Sequence, residues 1–496
     1  MEPDTSASVS HASKLAQAND AVQRAVPQRR DRWYPAYHIA AEAGWINDPN
    51  GLCFYKGRYH VFFQHHPYGV EWGPMHWGHA SSKDLVTWRA EPIALAPSLE
   101  ADRDGCWSGS CVVGQDGRLY AFYTGNSLSR DPSSPLRRRQ TQCVAVSEDG
   151  INFNKLGVVV PGIEPMEYFR DPKVWLQDDT WCMVVGQRSA QNHGQIALYT
   201  STDLLAWDYA GVIYEHPDPD VYMLECPDLF ELQGSWILCF SAMGMKPKGY
   251  VGRNANNAVY VVGNWKLGDT FEAKGQPKPC DAGHNYYAPQ SFEAPDGRRI
   301  QFGWMHSFQF EAAEQEDGWC GQLTLPRELA LKDGGIVAAQ PAGEVSQILS
   351  EPREWKPFVL AANERRLMAH DLRCGYVELT LDLASSDAER AGIEVHRTPD
   401  GSHLYVAYDA QTSCIVVDRR ATKRGNRGYR AAPIQSDAEQ LKIHVWLDRG
   451  SIEVYANDGE QVLSELSYPS EDPCAVVLAS EAGQSSIASF VLRELA

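Results

Sequence analysis

DPNGLCFYKGRYHVFFQ, residues Asp48–Gln64, reads as a polar entry, an apolar β-rich run, a turn and a second β-rich run. The same order recurs at Trp107–Thr124 (WSGSCVVGQDGRLYAFYT), Asp171–Gly186 (DPKVWLQDDTWCMVVG), Glu225–Ser241 (ECPDLFELQGSWILCFS) and Tyr287–Trp304 (YAPQSFEAPDGRRIQFGW). Each copy carries Gly, Asp or an amide near its turn, as a tight hairpin requires. A second echo follows three of the hairpins: Ser82-x-Asp84-x-x-x-Trp88, Ser147-x-Asp149-x-x-x-Phe153 and Ser201-x-Asp203-x-x-x-Trp207, each leading into another apolar strand. A unit is then about four strands, and four-stranded units repeated around an axis describe a β-propeller. Five copies predict five blades. A single large sandwich does not explain why both echoes keep the same order.

After Trp319 the chain runs through GWCGQLTLPREL into a Gly/Ala/Pro-punctuated stretch. From Phe358 it alternates in short strands, such as Tyr376–Leu383, Ser402–Tyr408 and Lys442–Ala456, with turns at Asp448–Gly450 and Asn457–Gly459. That pattern predicts a C-terminal β-sandwich. The expected organisation is all-β: a polar N-terminal extension over 1–31, a five-bladed propeller over 32–350, a linker over 351–357 bracketed by Pro352 and Pro357, and a β-sandwich over 358–496.

Composition narrows the function. With 45 basic against 64 acidic residues the formal charge is −19, which repels nucleic-acid backbones and anionic lipid. The fifteen Trp and twenty-two Tyr, many beside Gly, Asp or His, suit sugar faces as well as cores. The expected partner is a small neutral sugar, with no nucleic acid and no membrane, and the protein is expected as a monomer or homodimer. The Ala-rich start has no apolar run of signal-peptide type and no membrane span follows, so a cytoplasmic location is expected. Twelve singly scattered cysteines, without a C-x-x-C pair, read as reduced thiols.

In a propeller the innermost strand of each blade borders the central channel, so equivalent positions face one another across the axis. The repeats open on Asp48, Asp171 and Glu225, which predicts three converging carboxylates. A proline closely follows each acid, at Pro49, Pro172 and Pro227, and restricts the local backbone. One Asp-Pro alone reads as a turn; three acids at matching repeat positions read as a site. Glycosidic cleavage needs one carboxylate at the anomeric carbon and one carboxylic acid to protonate the leaving oxygen. A third stabilises positive charge in the transition state. Asp171 suits that task because Arg170 favours its ionised form, and Glu225, among Met223, Leu224 and Cys226, suits the proton donor.

These segments resemble glycoside hydrolase family 32, the invertase, inulinase and levanase family, over nearly the whole chain. Trp45–Gly51 matches its W-[MI]-N-D-P-N-G block, Phe169–Pro172 its R-D-P block and Glu225-Cys226-Pro227 its E-C-P block. Leu447–Gly459 (LDRGSIEVYANDG) looks like its sandwich signature. The resemblance implies a propeller followed by a sandwich. It also implies Asp48 as nucleophile, Asp171 as transition-state stabiliser and Glu225 as acid/base, through a covalent fructosyl-enzyme with net retention. It implies sugar contacts from Trp45, Asn47, Gln64, Trp72, Trp107, Ser108, Arg170 and Trp304, without a cofactor. Trp107 stands where many members have Phe, which reshapes the subsite wall. HNYYAPQSF (His284–Phe292) and WGPMHWGH (Trp72–His79) look most like bacterial cytoplasmic sucrose and fructo-oligosaccharide hydrolases. A sucrose-6-phosphate hydrolase and a fructosyltransferase are the alternatives within that chemistry.

Other motifs carry less. His60, His65, His66, His76 and His79 fall on predicted strands and loops without the helical H-E-x-x-H context, so no metal site is expected. Neither Ser108 nor Ser110 sits in a G-x-S-x-G elbow, which excludes an esterase reading. Arg137-Arg138-Arg139 reads as a solvated loop between blades, with phosphate sensing or an oligomer contact as the alternative.

Overall fold

The computed structural model describes residues 5–131, 137–163, 166–309, 312–435 and 438–496; residues 1–4 of the predicted extension lie outside them. Strands dominate throughout, as the alternating apolar runs dictate. Between Gly44 and Pro341 the described residues form five separate sheets of four or five strands, antiparallel but for one short pair and taken almost in chain order. The inner strands are Gly44–Tyr55, Cys106–Val113, Phe169–Gln177, Met223–Leu232 and Tyr287–Glu293. Each lies against the next, and the fifth returns to the first. The short strand Trp319–Cys320 pairs in parallel with Gly44 and Trp45, which ties the end of this region to its beginning.

All five inner strands break register at the same point. The interruptions fall between Ile46 and Pro49, between Trp107 and Gly109, opposite Val184/Gly186 where Asp171 and Pro172 sit, between Glu225 and Asp228, and between Tyr287 and Gln290. A proline cannot donate to a ladder, so bulges are where strands tolerate it. At Asp171, Cys226 and Ala288, each just before its proline, φ is +67°, +49° and +51°. The shared bulge fixes the true equivalences: Trp107, Arg170, Glu225 and Tyr287 share one level, and Ser108, Asp171, Cys226 and Ala288 the next. Glu225 and Asp171 are therefore offset by one residue, contrary to the repeat alignment read from sequence. Regular strands send neighbouring side chains to opposite faces, and the bulge relaxes that rule so both levels reach the axis.

The second echo is one capped turn used three times. Ser82, Ser147 and Ser201 donate to Asp84, Asp149 and Asp203, whose carboxylates accept backbone N–H groups two and three residues on. Leu85, Gly150 and Leu204, each three residues past the serine, all have positive φ.

From Arg353 onward two antiparallel sheets pack face to face around Val377, Leu379, Ile393, Val406, Ile443, Val454, Leu478 and Phe490. Arg353–Trp355, within the segment read as linker, pairs with the last strand, Ser485–Glu494. A buried charge network joins these sheets to the preceding ones. Arg327 reaches Glu453 at 2.5 Å and Asp281 at 3.0 Å, and His38 bridges Asp448 at 2.7 Å and Glu453 at 2.9 Å.

The helix Thr5–Ala25 packs beside the outer strand Trp88–Leu95. Asn19 accepts from the Ile93 amide and His11 from the Ala96 amide, which gives that edge side-chain partners where a neighbouring strand would supply backbone.

Candidate active site

At the level of the bulges a cavity of about 170 Å³ opens on the axis. It is lined by Asn47, Asp48, Gln64, Ser108, Arg170, Asp171, Glu225 and Tyr287, together with Trp72, Trp107, Arg138 and Phe308, of which Trp72 and Phe308 are exposed. The three predicted acids thus meet in one pocket although they come from three different sheets.

Asp48 is held on both oxygens. Asn47 donates to Oδ1 at 3.0 Å, Ser108 to Oδ2 at 2.6 Å, and the Cys226 thiol to Oδ2 at 3.4 Å. Burial raises its proton affinity, the Ser108 hydrogen bond counters this, and the charge of Glu225 adds to the rise. Asp171 Oδ2 accepts the Cys226 amide at 2.9 Å, with the Cys226 thiol 3.6 Å away. Cys226 therefore links two of the acids, and burial pushes its thiol far above the ordinary range, which keeps it a neutral donor.

Arg170 does not serve mainly Asp171. Its Nη2 lies 2.8 Å from Glu225 Oε1 and its Nε 3.1 Å from the same oxygen, whereas Asp171 is 3.9 Å away. Burial accordingly pushes Asp171 up to about 7 despite Arg170, with the charges of Glu225 and Asp48 adding to the rise. Tyr287 donates to Glu225 Oε2 at 2.5 Å. Glu225 thus sits between a guanidinium and a phenol, because its side chain turns away from the apolar sequence neighbours expected to surround it.

Two of the predicted contact residues stand behind the wall. Trp304 is fully buried and tilts against Trp45 at 5.6 Å. Trp45 donates through Nε1 to Asn47 Oδ1 at 2.8 Å, which aims the Asn47 amide at Asp48. Neither lines the cavity, whereas Gln64, Trp72 and Trp107 do. Tyr287, Arg138 and Phe308 line it without having been singled out as contacts. Tyr287 opens the fifth repeat, the position that the acids hold in theirs. Arg138 sat in the basic run, and Phe308 follows the last repeat with no pattern of its own.

The histidines Nδ1 of His60 and Nε2 of His79 lie 2.9 Å apart, and His65 bonds the Trp45 carbonyl; burial lowers the proton affinity of all three. They act as neutral packing and hydrogen-bonding groups.

Residues 38–341 match the glycosyl hydrolases family 32 N-terminal domain and residues 344–494 its C-terminal domain. The chain is 41% identical over 459 residues to a raffinose invertase of Escherichia coli, covering 92% of this chain and 94% of that one. It is 39% identical to a sucrose-6-phosphate hydrolase of Escherichia coli, again over 92% and 94%. The Bombyx mori GH32 beta-fructofuranosidase BmSUC1 superposes with a TM-score of 0.84 at 29% identity, covering 97% of this chain and 98% of that one. With both domains matched in order and a pocket of carboxylates between the inner strands, the chain belongs to glycosyl hydrolases family 32 and is a glycoside hydrolase.

Proposed function

We propose that this enzyme is a retaining β-fructofuranosidase that removes terminal non-reducing β-D-fructofuranosyl units from sucrose and short fructo-oligosaccharides. The observation that carries the reading is the meeting of Asp48, Asp171 and Glu225 in one cavity, two of them bridged by Cys226. A cavity of about 170 Å³ suits one terminal sugar ring, not a groove that threads a polymer. The relatives named raffinose invertase and sucrose-6-phosphate hydrolase support fructoside hydrolysis.

In this reading Asp48 attacks the anomeric carbon while Glu225 gives its proton to the departing glycosidic oxygen, leaving fructose esterified to Asp48. Glu225, now a carboxylate, takes a proton from water, and the hydroxide displaces Asp48 to release fructose with its configuration kept. Asp171 hydrogen-bonds ring hydroxyls and stabilises the developing positive charge. The hydrogen bonds from Asn47 and Ser108 hold the Asp48 carboxylate ready for attack.

We take the five sheets as five blades of a propeller, supported by the closed cycle of inner strands. The domain limits 32–350 and 358–496 belong to the same proposal, as do a sugar as the sole partner and a monomer or homodimer. A cytoplasmic location is supported by twelve free cysteines, ten of them buried. The decisive experiment supplies sucrose, kestose, inulin and levan to the purified enzyme and follows the anomer first released. Fructose appearing from sucrose with retained configuration is expected. Inversion, or no fructose from any of them, removes the proposal.

A further inference from the structure

Where the fifth sheet closes on the first, three side chains of different kinds face one another: His306, Glu314 and Cys320. All are buried, at 1%, 1% and 0% exposure. Glu314 Oε1 lies 3.6 Å from His306 Nε2 and 3.7 Å from Cys320 Sγ, and the three atoms fall within 4.8 Å of one another. His306 stands apart from the His60–His79 group, and Cys320 belongs to the stretch GWCGQLTLPREL.

Two of these groups lack what burial demands. His306 Nε2 has no hydrogen-bond partner, since 3.6 Å is too long for one. Its Nδ1 lies 2.7 Å from the Ser307 carbonyl and equally 2.7 Å from the Ser307 amide. With the proton toward the carbonyl, Nε2 presents a bare lone pair to the cluster, the arrangement in which imidazole binds a metal. Glu314 accepts from the Gly321 amide at 3.2 Å, the Cys320 thiol and the Tyr468 hydroxyl, yet among the described residues no lysine or arginine pairs with it. A buried carboxylate without a cation and a buried nitrogen without a partner are each costly alone. One divalent ion between them removes both costs. A zinc ion holding its donors at about 2.0–2.3 Å spaces them about 3.3–3.8 Å apart at tetrahedral angles. The two edges through Glu314 already have that spacing.

We propose that His306, Glu314 and Cys320 form a structural zinc site, which ties the junction of the fifth and first sheets to the sandwich through Tyr468. Thiolate and carboxylate balance the two charges of the ion, and neutral imidazole is the third donor. As the sulfur–zinc bond forms, the Cys320 proton leaves to solvent, and the fourth position falls to a water. A donor set of nitrogen, sulfur and one oxygen suits zinc and not magnesium or calcium. The ion sits behind the sugar pocket: the His306 ring stacks on Trp304 at 5.4 Å, and Cys320 pairs with Trp45, whose indole holds Asn47.

The test strips the full-length enzyme with a chelator and titrates it with Co2+, then with Zn2+. One cobalt ion per chain is expected, with a thiolate-to-cobalt charge-transfer band that Zn2+ displaces, and zinc is expected to raise the Tm. Cys320→Ser is expected to lose the band and the Tm response. His306→Gln, which leaves all twelve thiols in place, is expected to weaken zinc by about 100-fold or more, at least what loss of an outer-shell partner costs. A wild-type chain that takes up neither ion overturns the proposal without any variant. So does a band that survives Cys320→Ser, or an unchanged zinc affinity in His306→Gln, since either puts the metal on other groups.

Discussion

The Tyr287 hydroxyl donates to Oε2 of Glu225 at 2.5 Å, on the edge of the carboxylate opposite the one held by Arg170. The acid is thus clamped from two sheets, and its two oxygens are chemically distinct. Tyr287→Phe removes one clamp without emptying the space. A drop of about 10- to 100-fold in kcat on sucrose is expected, with a smaller loss on a fructosyl donor whose leaving group needs no proton, which a purely structural role would not produce. Steady-state kinetics with both donors checks it.

Asp48 and Glu225 should separate by leaving group. Glu225→Ala is expected to lose about 100- to 10,000-fold in kcat on sucrose and to recover much of its first step with an activated fructosyl donor whose leaving group needs no proton. Asp48→Ala is expected to stay inactive on both. Burst kinetics with such a donor reads the difference.

The acidic limb of activity should report Asp48. Its folded proton affinity is raised by burial, and the Ser108 hydrogen bond is the largest force pulling it back down. Attack needs the ionised form, so activity is lost as pH falls through that pKa. Ser108→Ala removes the restraint and is expected to move the acidic limb of kcat/KM upward. A profile that stays in place counts against Asp48 as the titrating nucleophile.

His38 gives the fold a pH dependence of the opposite sense. Burial alone disfavours its charge, yet the hydrogen bonds to Asp448 and Glu453 raise its pKa to about 9 from 6.5. A raised folded pKa means the stabilisation is fully present below 6.5 and is lost as pH rises through 9. The shift corresponds to on the order of 3 kcal/mol. Denaturant midpoints of the wild-type protein are expected to fall between pH 6.5 and 9.5 or so, and His38→Gln is expected to start lower and flatten that slope.

Much of the site was legible because repetition carries geometry. Asp48, Asp171 and Glu225 stand at the mouths of their repeat units, and Tyr287 holds the same place in the fifth unit. The pairing of Arg170 was not legible. Sequence adjacency assigns it to Asp171, but the bulge sets Arg170 and Glu225 at one level on neighbouring sheets, where they meet at 2.8 Å. A one-residue slip of register decides such a partnership, and no local pattern records it. The N-terminal helix escaped for a related reason: its anchoring residues, His11 and Asn19, act across more than seventy positions of chain.

That helix has a consequence of its own. A strand at the margin of a sheet offers free amides to any other strand that comes by, and here two side chains occupy that invitation at Ile93 and Ala96. Deleting residues 1–25 should leave the sugar pocket whole and its kinetics near normal, while light scattering registers concentration-dependent clustering. Clustering of the shortened chain would mark the helix as a cover over a vulnerable seam, which keeps the catalyst dispersed.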